Sequence, residues 1–418
     1  MTLSKVKSIC IILLAFLTIY QTGFLWFVNI TNHNFLLNFF PFMHQVTVPD
    51  GVDRLVVPWR IIRSHGSGRF SAQYNNLSGE RYGNIVLSHL LQNGRFVGTH
   101  PMSGLSNFLS YPAYIYEYAF PMEADWFTQG FNQRSTLLTA RVTAPFRKVI
   151  IRPPVAGDSE AAVLFLCENG YIHEFAILPP EGFSYSITEE SSVPYYIFED
   201  FQFIRHGLVP FYGVQVSNPY TDDGSLLLDF VMGRVSGFFS NPAAILHSVG
   251  SDGDVWVYRD VNTVVRYYAT NVLEYISYRA IDRSVASSFL NDYAAAVLFV
   301  ERDTLVINDF YLADFREENG MHVFYFSYVV GDMPLIMAEG WSDQLSHPII
   351  VTVDHGTVVR YRKIAFNFYI DERMPFSVNA EFRGASHAAA NVILGYKISA
   401  QDINSLHWFL DGQAFPLQ

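Results

Sequence analysis

The segment VLFLCENGYIHEFAI (163–177) joins two apolar runs through Glu168-Asn169-Gly170. Asn-Gly between apolar runs is the strongest short-range signal for a β-hairpin, because both residues tolerate the positive φ angles of a tight turn. The pattern therefore predicts antiparallel strands at about 162–166 and 171–177. His173 and Glu174 are neighbours in the second strand, so their side chains should point to opposite faces and cannot share a metal ion.

The same pattern of strand, turn and strand recurs along the chain. Hairpins are predicted from Val255–Arg259 and Thr263–Tyr268, and at 349–362 around the turn Asp354-His355-Gly356. Further strands are predicted at 54–57, 60–63, 70–74, 113–120, 148–152, 296–300, 304–307 and 322–330. Hairpins dominate and long crossover helices are few, which predicts an α+β fold of antiparallel sheets packed with helices.

Three helices are predicted among these strands. Ser78 is a candidate N-cap for a helix at about 80–92. The buried stripe expected on that helix consists of Tyr82, Ile85, Val86, His89 and Leu90. Asn241-Pro242 favours a short helix, since proline is favourable at the first helical position. Ser399 and Asp402 resemble a capping box that starts a final helix through Leu410.

The N-terminal region contains an apolar run from about Ser8 to Ile30 without a charge. Roughly 20 apolar residues suffice for a transmembrane helix, and the preceding Lys5 and Lys7 favour a cytoplasmic N-terminus. A cleaved signal peptide is the alternative, but no A-x-A-like site follows the run. We expect a cytoplasmic tail at 1–7, a transmembrane helix at 8–30 and an extracytoplasmic remainder, which predicts a single-pass protein of the cell membrane.

Length and composition constrain the exterior part. A chain of 418 residues predicts two or three exterior α+β domains, with bounds of about 45–178, 181–270 and 271–418. Hydrophobic residues make up 50% and aromatic residues 16%, which excludes a disordered exterior. The net charge of −12 argues against nucleic acid as a partner. Cys10 lies in the predicted anchor and Cys167 in the exterior, so the two cannot pair within one chain.

The sequence shows no catalytic motif. Gly233-Arg-Val-Ser-Gly places its serine one position too late for a nucleophile elbow, and no H-E-x-x-H, P-loop or G-x-G-x-x-G is present. Asp252-Gly253-Asp254 predicts a tight turn, because a calcium site needs six or more oxygen ligands. Asp303, Asp309 and Asp314 are interpreted as strand-end and loop carboxylates. No catalytic, cofactor or metal residue is assigned, and an anchored hydrolase with a dispersed site is kept only as an alternative.

Small and hydrogen-bonding residues line one side of the predicted anchor. They are Ala15, Thr18, Thr22 and Asn29, with Gln21 beside them. Such stripes allow membrane helices to approach and to form hydrogen bonds. Our hypothesis is that this stripe contacts the transmembrane helix of a partner.

Several segments along the chain carry a resemblance to a known family. The early segments are RIIRSHGSGRFSAQY (60–74), YIYEYAFPMEADWF (114–127), KVIIRPP (148–154) and the hairpin 163–177. The later segments are FFSNPAAILHS (238–248), VWVYRDVNTVVRYY (255–268) and HPIIVTVDHGTVVRY (347–361). Together they resemble the YycH family of membrane-anchored regulators in low-GC Gram-positive bacteria, and the later segments are also similar to the sister regulator YycI. The resemblance spans nearly the whole chain.

The resemblance implies a role without catalysis or cofactor. Members of the family bind a two-component sensor histidine kinase at the membrane, largely through transmembrane helices and often together with YycI, and adjust its control of cell-wall metabolism. It therefore implies a sensor histidine kinase and a YycI-like protein as partners. The alternative is an exterior module that binds a cell-wall fragment or an exported protein without a kinase.

Overall fold

The fold is built from many short strands and few helices. The computed structural model describes residues 55–66, 70–73, 77–133, 135–155, 158–179, 195–197, 203–205, 208–220, 228–250, 253–284, 287–303, 305–306, 308–330, 333–337, 345–379, 392–398, 405–410 and 413–416. The strands are β1 (Arg60–His65), β2 (Phe70–Gln73), β3 (Arg95–Pro101), β4 (Pro112–Met122), β5 (Phe146–Arg152), β6 (Ala161–Cys167), β7 (Tyr171–Ile177), β8 (Tyr195–Ile197), β9 (Phe203–Arg205), β10 (Leu208–Ser217), β11 (Leu246–Val249), β12 (Val255–Arg259), β13 (Thr263–Tyr268), β14 (Val272–Ser277), β15 (Asp309–Glu318), β16 (Met321–Val330), β17 (Met333–Met337), β18 (Ile349–Asp354), β19 (Thr357–Ile364), β20 (Asn367–Asn379), β21 (Val392–Ile398), β22 (Ser405–Leu410) and β23 (Gln413–Pro416). The helices are α1 (Leu77–Asn93), α2 (Leu105–Leu109), α3 (Ala124–Gly130), α4 (Thr136–Arg141), α5 (Leu228–Val235) and α6 (Phe289–Arg302).

Nine of the described strands form one antiparallel sheet in the order β3-β7-β6-β5-β4-β1-β2-β8-β9. The hairpin of β6 and β7 is confirmed, and Gly170 takes the positive φ of +82° that its turn requires. Phe165 and Phe175 face the larger core, whereas Leu164 and Ile172 face a smaller core that α2 covers. This sheet is therefore buried on both faces.

Helix α1 confirms the predicted helix, but the buried stripe is different from the prediction. Val86, Leu87, Leu90 and Leu91 are buried, whereas Ile85 is 37% exposed. His89 is half-buried, and its Nδ1 lies 3.2 Å from Nδ2 of Asn93. The stripe is therefore rotated by about one residue, because Leu87 and Leu91 supply more apolar surface than Ile85 and His89.

Twelve described strands form the second sheet in the order β11-β12-β13-β14-β19-β18-β16-β17-β21-β22-β23, with β15 added beside β16. Its predicted hairpins β12–β13 and β18–β19 are confirmed. The turn of the latter consists of His355 and Gly356 with φ of +48° and +73°. Helix α6 packs against β16, β18 and β19 on one face of this sheet, which we call the inner face. Separately, β10 pairs with β20.

The strand predicted at Ala296–Val300 is wrong, because these residues lie in α6. Ser288 caps this helix by accepting a hydrogen bond from the amide of Asn291 at 3.3 Å. A continuous apolar run does not distinguish a buried strand from a helix that is buried on several sides. Alanine has the highest helix propensity, and the run of three alanines at 294–296 favours the helix.

The final helix predicted through Leu410 is also wrong. Residues Ser405–Leu410 form β22, which pairs with β21 and β23. The two residues between β22 and β23 are Asp411-Gly412. Asp-Gly between two apolar runs favours a hairpin, and here this signal outweighs the capping-box pattern.

An aromatic cluster joins the two large sheets. The rings of Trp126 in α3 and Phe289 in α6 stack with centroids 3.9 Å apart. Phe315 in β15 contacts both rings edge-on, at 5.3 and 4.7 Å, and also lies 6.0 Å from Phe120 in β4. These contacts connect elements of the first sheet with elements of the second through one apolar core.

Cys167 should be chemically inert in the folded protein. It is buried at the end of β6, and burial raises the pKa of its thiol to about 12. Because the thiolate is the reactive form, we expect Cys167 in the full-length Cys10→Ser variant to resist a thiol reagent at pH 8 and to react after unfolding in urea. Rapid labelling of the folded protein would contradict the burial of this residue.

The predicted anchor lies outside the described residues. Within the described part of the chain, no helix is both long and apolar enough to cross a membrane. The transmembrane helix at 8–30, the cellular location and the domain bounds stay predictions.

Candidate functional site

The described residues contain no group of three or more histidine, cysteine or acidic side chains that could hold a metal ion. His173 and Glu174 point to opposite faces of β7, as predicted. Nδ1 of His173 lies 3.1 Å from the hydroxyl of Thr99, and a carboxylate oxygen of Glu174 lies 2.8 Å from Nε2 of His100. The two side chains therefore take part in separate local contacts.

A buried ion pair connects α6 with the second sheet. Asp303 follows the end of α6, and its carboxylate lies 2.6 Å from Nζ of Lys363 in β19. Tyr361 donates a hydrogen bond to the same carboxylate oxygen at 3.0 Å. Burial lowers the pKa of Lys363, and Asp303 opposes that shift. The interpretation of Asp303 as a loop carboxylate was incomplete, because it is the buried counter-ion of a buried lysine.

Asp292 connects the start of α6 with two other elements. Its side chain is fully buried. It accepts hydrogen bonds from the hydroxyl of Ser287 at 3.0 Å and the amide of Gly356 at 2.6 Å, and it lies 2.7 Å from Nδ1 of His322. Ser287 bonds to the aspartate and not to the histidine, so the group differs from a catalytic triad, in which histidine activates the serine. These bonds hold the helix against the β18–β19 turn.

A third buried charge group lies in the first sheet. Arg60 of β1 donates to the carboxylate of Glu117 in β4 from Nε at 2.7 Å and also from Nη2. Nζ of Lys148 in β5 lies 3.5 Å from the other carboxylate oxygen. Burial alone raises the pKa of Glu117, but Arg60 and Lys148 together outweigh it and lower the pKa below its usual 4.5.

The lowered pKa of Glu117 predicts a pH dependence of stability. In the folded protein the Glu117 carboxylate stays ionised to a lower pH than in the unfolded chain. The ionised carboxylate therefore stabilises the folded state above about pH 4.5, and this stabilisation is lost as the pH falls further. We expect Glu117→Gln to be less stable at pH 7 and to lose less of its unfolding free energy, measured in urea, as the pH falls from 7 to 3. Glu317→Gln, an exposed control with the same charge change, should lose as much unfolding free energy over this range as the parent protein. An equal loss for Glu117→Gln and the parent protein would contradict this assignment.

These buried groups act as structural contacts, because their charges face partners inside the protein.

Residues that bind another protein must be accessible, so the candidate functional site is a surface. Exposed apolar side chains gather where β11, the β12–β13 turn and the end of β14 meet. Leu246, Val261 and Tyr278 are 63%, 93% and 62% exposed. We call these three residues the edge surface.

The backbone brings the edge surface together. Leu246 pairs with Arg259, the last residue of β12. The amide of Tyr278 donates to the carbonyl of Asn262 at 2.7 Å, which places Tyr278 beside the turn that contains Val261. All four residues of β11 are exposed, and β11 is at one end of the sheet order. An exposed edge strand offers backbone groups for strand addition, and grouped apolar residues mark interaction sites.

Sequence reasoning missed the edge surface. Neither Leu246 nor Val261 stands out in the sequence, because single apolar residues occur on every protein surface. The predicted partner-contact residues Ala15, Thr18, Gln21, Thr22 and Asn29 lie outside the described residues. The aromatic segments Tyr111–Phe120 and Phe324–Tyr328 contribute mainly to the core, although Tyr111 is 42% exposed.

Among the described residues, sheets that are antiparallel apart from the parallel β17–β21 pair, together with few helices, define an α+β protein. No protein-family model and no curated protein matches the sequence. The crystal structure of YycH from Bacillus subtilis is similar to this chain with a TM-score of 0.57 and 9% sequence identity, covering 88% of this chain and 98% of that chain. The chain therefore has a YycH-like fold, which confirms at the level of the fold the resemblance drawn from the sequence.

Proposed function

We propose that the protein is a membrane-anchored extracytoplasmic regulator of a two-component sensor histidine kinase that controls cell-wall metabolism. The observation that carries the proposal is the YycH-like fold, which spans 98% of the YycH chain. The uncharged apolar run 8–30 supports a membrane anchor, because it is long enough to cross a bilayer. The protein acts through contacts and not through catalysis, and a YycI-like protein is a second partner.

Two contacts transmit the regulation. The stripe of Ala15, Thr18, Gln21, Thr22 and Asn29 packs against a transmembrane helix of the kinase. Outside the membrane, the edge surface binds the exterior part of the kinase. In this proposal, the anchor is the route by which an exterior event reaches the kinase through the membrane.

The proposal is tested by the phosphorylation of response regulators in the source cell. Deleting the gene should change the phosphorylated fraction of one response regulator, and expression of the full chain should restore it. Unchanged phosphorylation of every response regulator would contradict the proposal and favour the exterior binding module.

Charged substitutions at the edge surface provide a sharper prediction. Leu246→Asp and Val261→Asp should leave the protein folded, because both side chains are mostly exposed. They should shift response-regulator phosphorylation toward the value of the deletion strain. Val97→Asp is the matched control, since Val97 is 45% exposed on β3 at the end of the other sheet. Equal effects of all three substitutions would exclude a specific role of the edge surface.

The contact inside the membrane requires a separate experiment. Replacing residues 8–30 with an unrelated apolar helix of the same length keeps the exterior part anchored. We expect the exchanged protein to be unable to restore response-regulator phosphorylation in the deletion strain. Full restoration by the exchanged protein would rule out the stripe as a contact.

A further inference from the structure

The outer face of the second sheet, opposite α6, carries a concentration of arginines. Side chains alternate along strands, so the register assigns a face to each residue. Arg259, Arg266, Arg360 and Arg362 fall on the outer face of β12, β13 and β19, and Glu274 of β14 lies among them. We call these five residues the arginine face.

The centre of the arginine face is built around Glu274. One carboxylate oxygen accepts hydrogen bonds from Nε of Arg360 at 2.7 Å and from Nη2 of the same guanidinium. The other accepts from Nη1 of Arg266 and from the hydroxyl of Tyr268, both at 3.0 Å. The Glu274 side chain is 3% exposed, whereas those of Arg266 and Arg360 are 36% and 47% exposed. The buried carboxylate thus fixes two guanidinium groups that still face solvent.

The charge of this face differs in sign from that of the whole protein. Four arginines against one glutamate give a net charge of +3 on the outer face of β12, β13, β14 and β19, in a chain whose net charge is −12. Burial lowers the pKa of Arg362, and the like charge of Arg360 lowers it further. The fold therefore holds like charges together on one surface, which favours an anionic partner.

The size and composition of the face favour a polypeptide over a small anion. Neighbouring strands lie about 4.8 Å apart, and Arg362 is also offset from Arg259 by two residues along the strands, so the two arginines are separated by roughly 16 Å. One phosphate cannot span that distance, whereas alternate side chains of an extended peptide repeat about every 7 Å. Half-buried Val257, Val264 and Ile276 lie between the arginines on the same face. Arginine and tyrosine beside aliphatic groups are typical of protein interfaces.

We propose that the arginine face binds an acidic polypeptide segment, whose carboxylates pair with Arg259, Arg266, Arg360 and Arg362 while its apolar side chains contact Val264 and Ile276. Guanidinium groups suit this ligand because they donate two parallel hydrogen bonds to one carboxylate. The inference does not depend on the proposed function, since any acidic segment outside the membrane could supply these groups.

The test uses the full chain in detergent and a fluorescein-labelled ten-residue peptide of alternating glutamate and valine. Fluorescence anisotropy should show saturable binding that weakens as salt is added. The double variant Arg259→Gln/Arg362→Gln should bind at least about tenfold more weakly, since one lost charged hydrogen bond accounts for about that factor. Arg266 and Arg360 are left intact because their loss would leave Glu274 buried with fewer partners.

A matched control separates this site from general charge effects. Arg95→Gln/Arg147→Gln removes the same charge from partly exposed positions of the first sheet and should bind the peptide as the parent does. Equal weakening in both double variants, or absence of saturable binding, would overturn the proposal. Full displacement of the peptide by an equal concentration of inorganic phosphate would assign the face to a small oxyanion and would likewise overturn it. These outcomes are independent of kinase regulation, which is measured in cells.

Discussion

Replacing Asp303 with asparagine is expected to destabilise the protein by about 3–5 kcal/mol, because it leaves the buried ammonium of Lys363 without a counter-ion. Both side chains are almost fully buried, at 3% and 2% exposure, and their charged atoms lie 2.6 Å apart. Tyr361 also loses the charged acceptor of its hydrogen bond. Urea unfolding followed by tryptophan fluorescence measures the change.

The control for this substitution is Asp309→Asn, which makes the same chemical change at an exposed residue at the start of β15. Its effect should be within about 0.5 kcal/mol, as for most surface substitutions. The double variant Asp303→Leu/Lys363→Met removes both charges and should recover much of the lost stability. If Asp303→Asn behaved like Asp309→Asn, the Asp303–Lys363 pair would not be a buried contact of the folded protein.

Replacing Phe289 with alanine should cost about 3–5 kcal/mol, the range found when a buried phenylalanine is truncated in a packed core. The ring is 7% exposed and stacks on Trp126 at 3.9 Å. It also contacts Phe315 and Phe324, at 4.7 and 5.7 Å. Loss of the ring therefore opens a cavity where the two large sheets meet. We expect a lower urea midpoint and faster proteolysis of the folded protein.

Tyr278→Ala is the control for Phe289→Ala, because it removes an aromatic ring of similar size that is 62% exposed. It should change the unfolding free energy by less than about 1 kcal/mol. A similarly small effect of Phe289→Ala would show that the aromatic cluster does not hold the sheets together.

Local sequence signals predicted the hairpins because their information lies within a few residues. Gly170 takes a positive φ in its turn, as do His355 and Gly356 in theirs, and the strands beside these turns begin and end close to the predicted residues. The misassigned segments had competing local signals. The apolar run in α6 was ambiguous between helix and strand. The sequence pattern of Ser399 and Asp402 matched a capping box, although residues Ser405–Leu410 form a strand.

The charged groups and the candidate surfaces could not be predicted in this way, because they join residues that are distant in sequence. Glu117 and Arg60 are 57 positions apart, and Glu274 and Arg360 are 86 positions apart. Which strands become neighbours depends on the order of the whole sheet. The edge surface likewise exists because β11 is at the end of that order, a property that no local pattern around Leu246 encodes.

The central proposal is that the protein regulates a sensor histidine kinase by direct contact. The most direct measurement is crosslinking in intact membranes, followed by purification of the full chain and mass spectrometry of the captured proteins. We predict that a sensor histidine kinase is recovered, with crosslinks to the edge surface, and that Leu246→Asp lowers its yield while Val97→Asp does not. Repeated recovery of the chain without any histidine kinase would contradict the account.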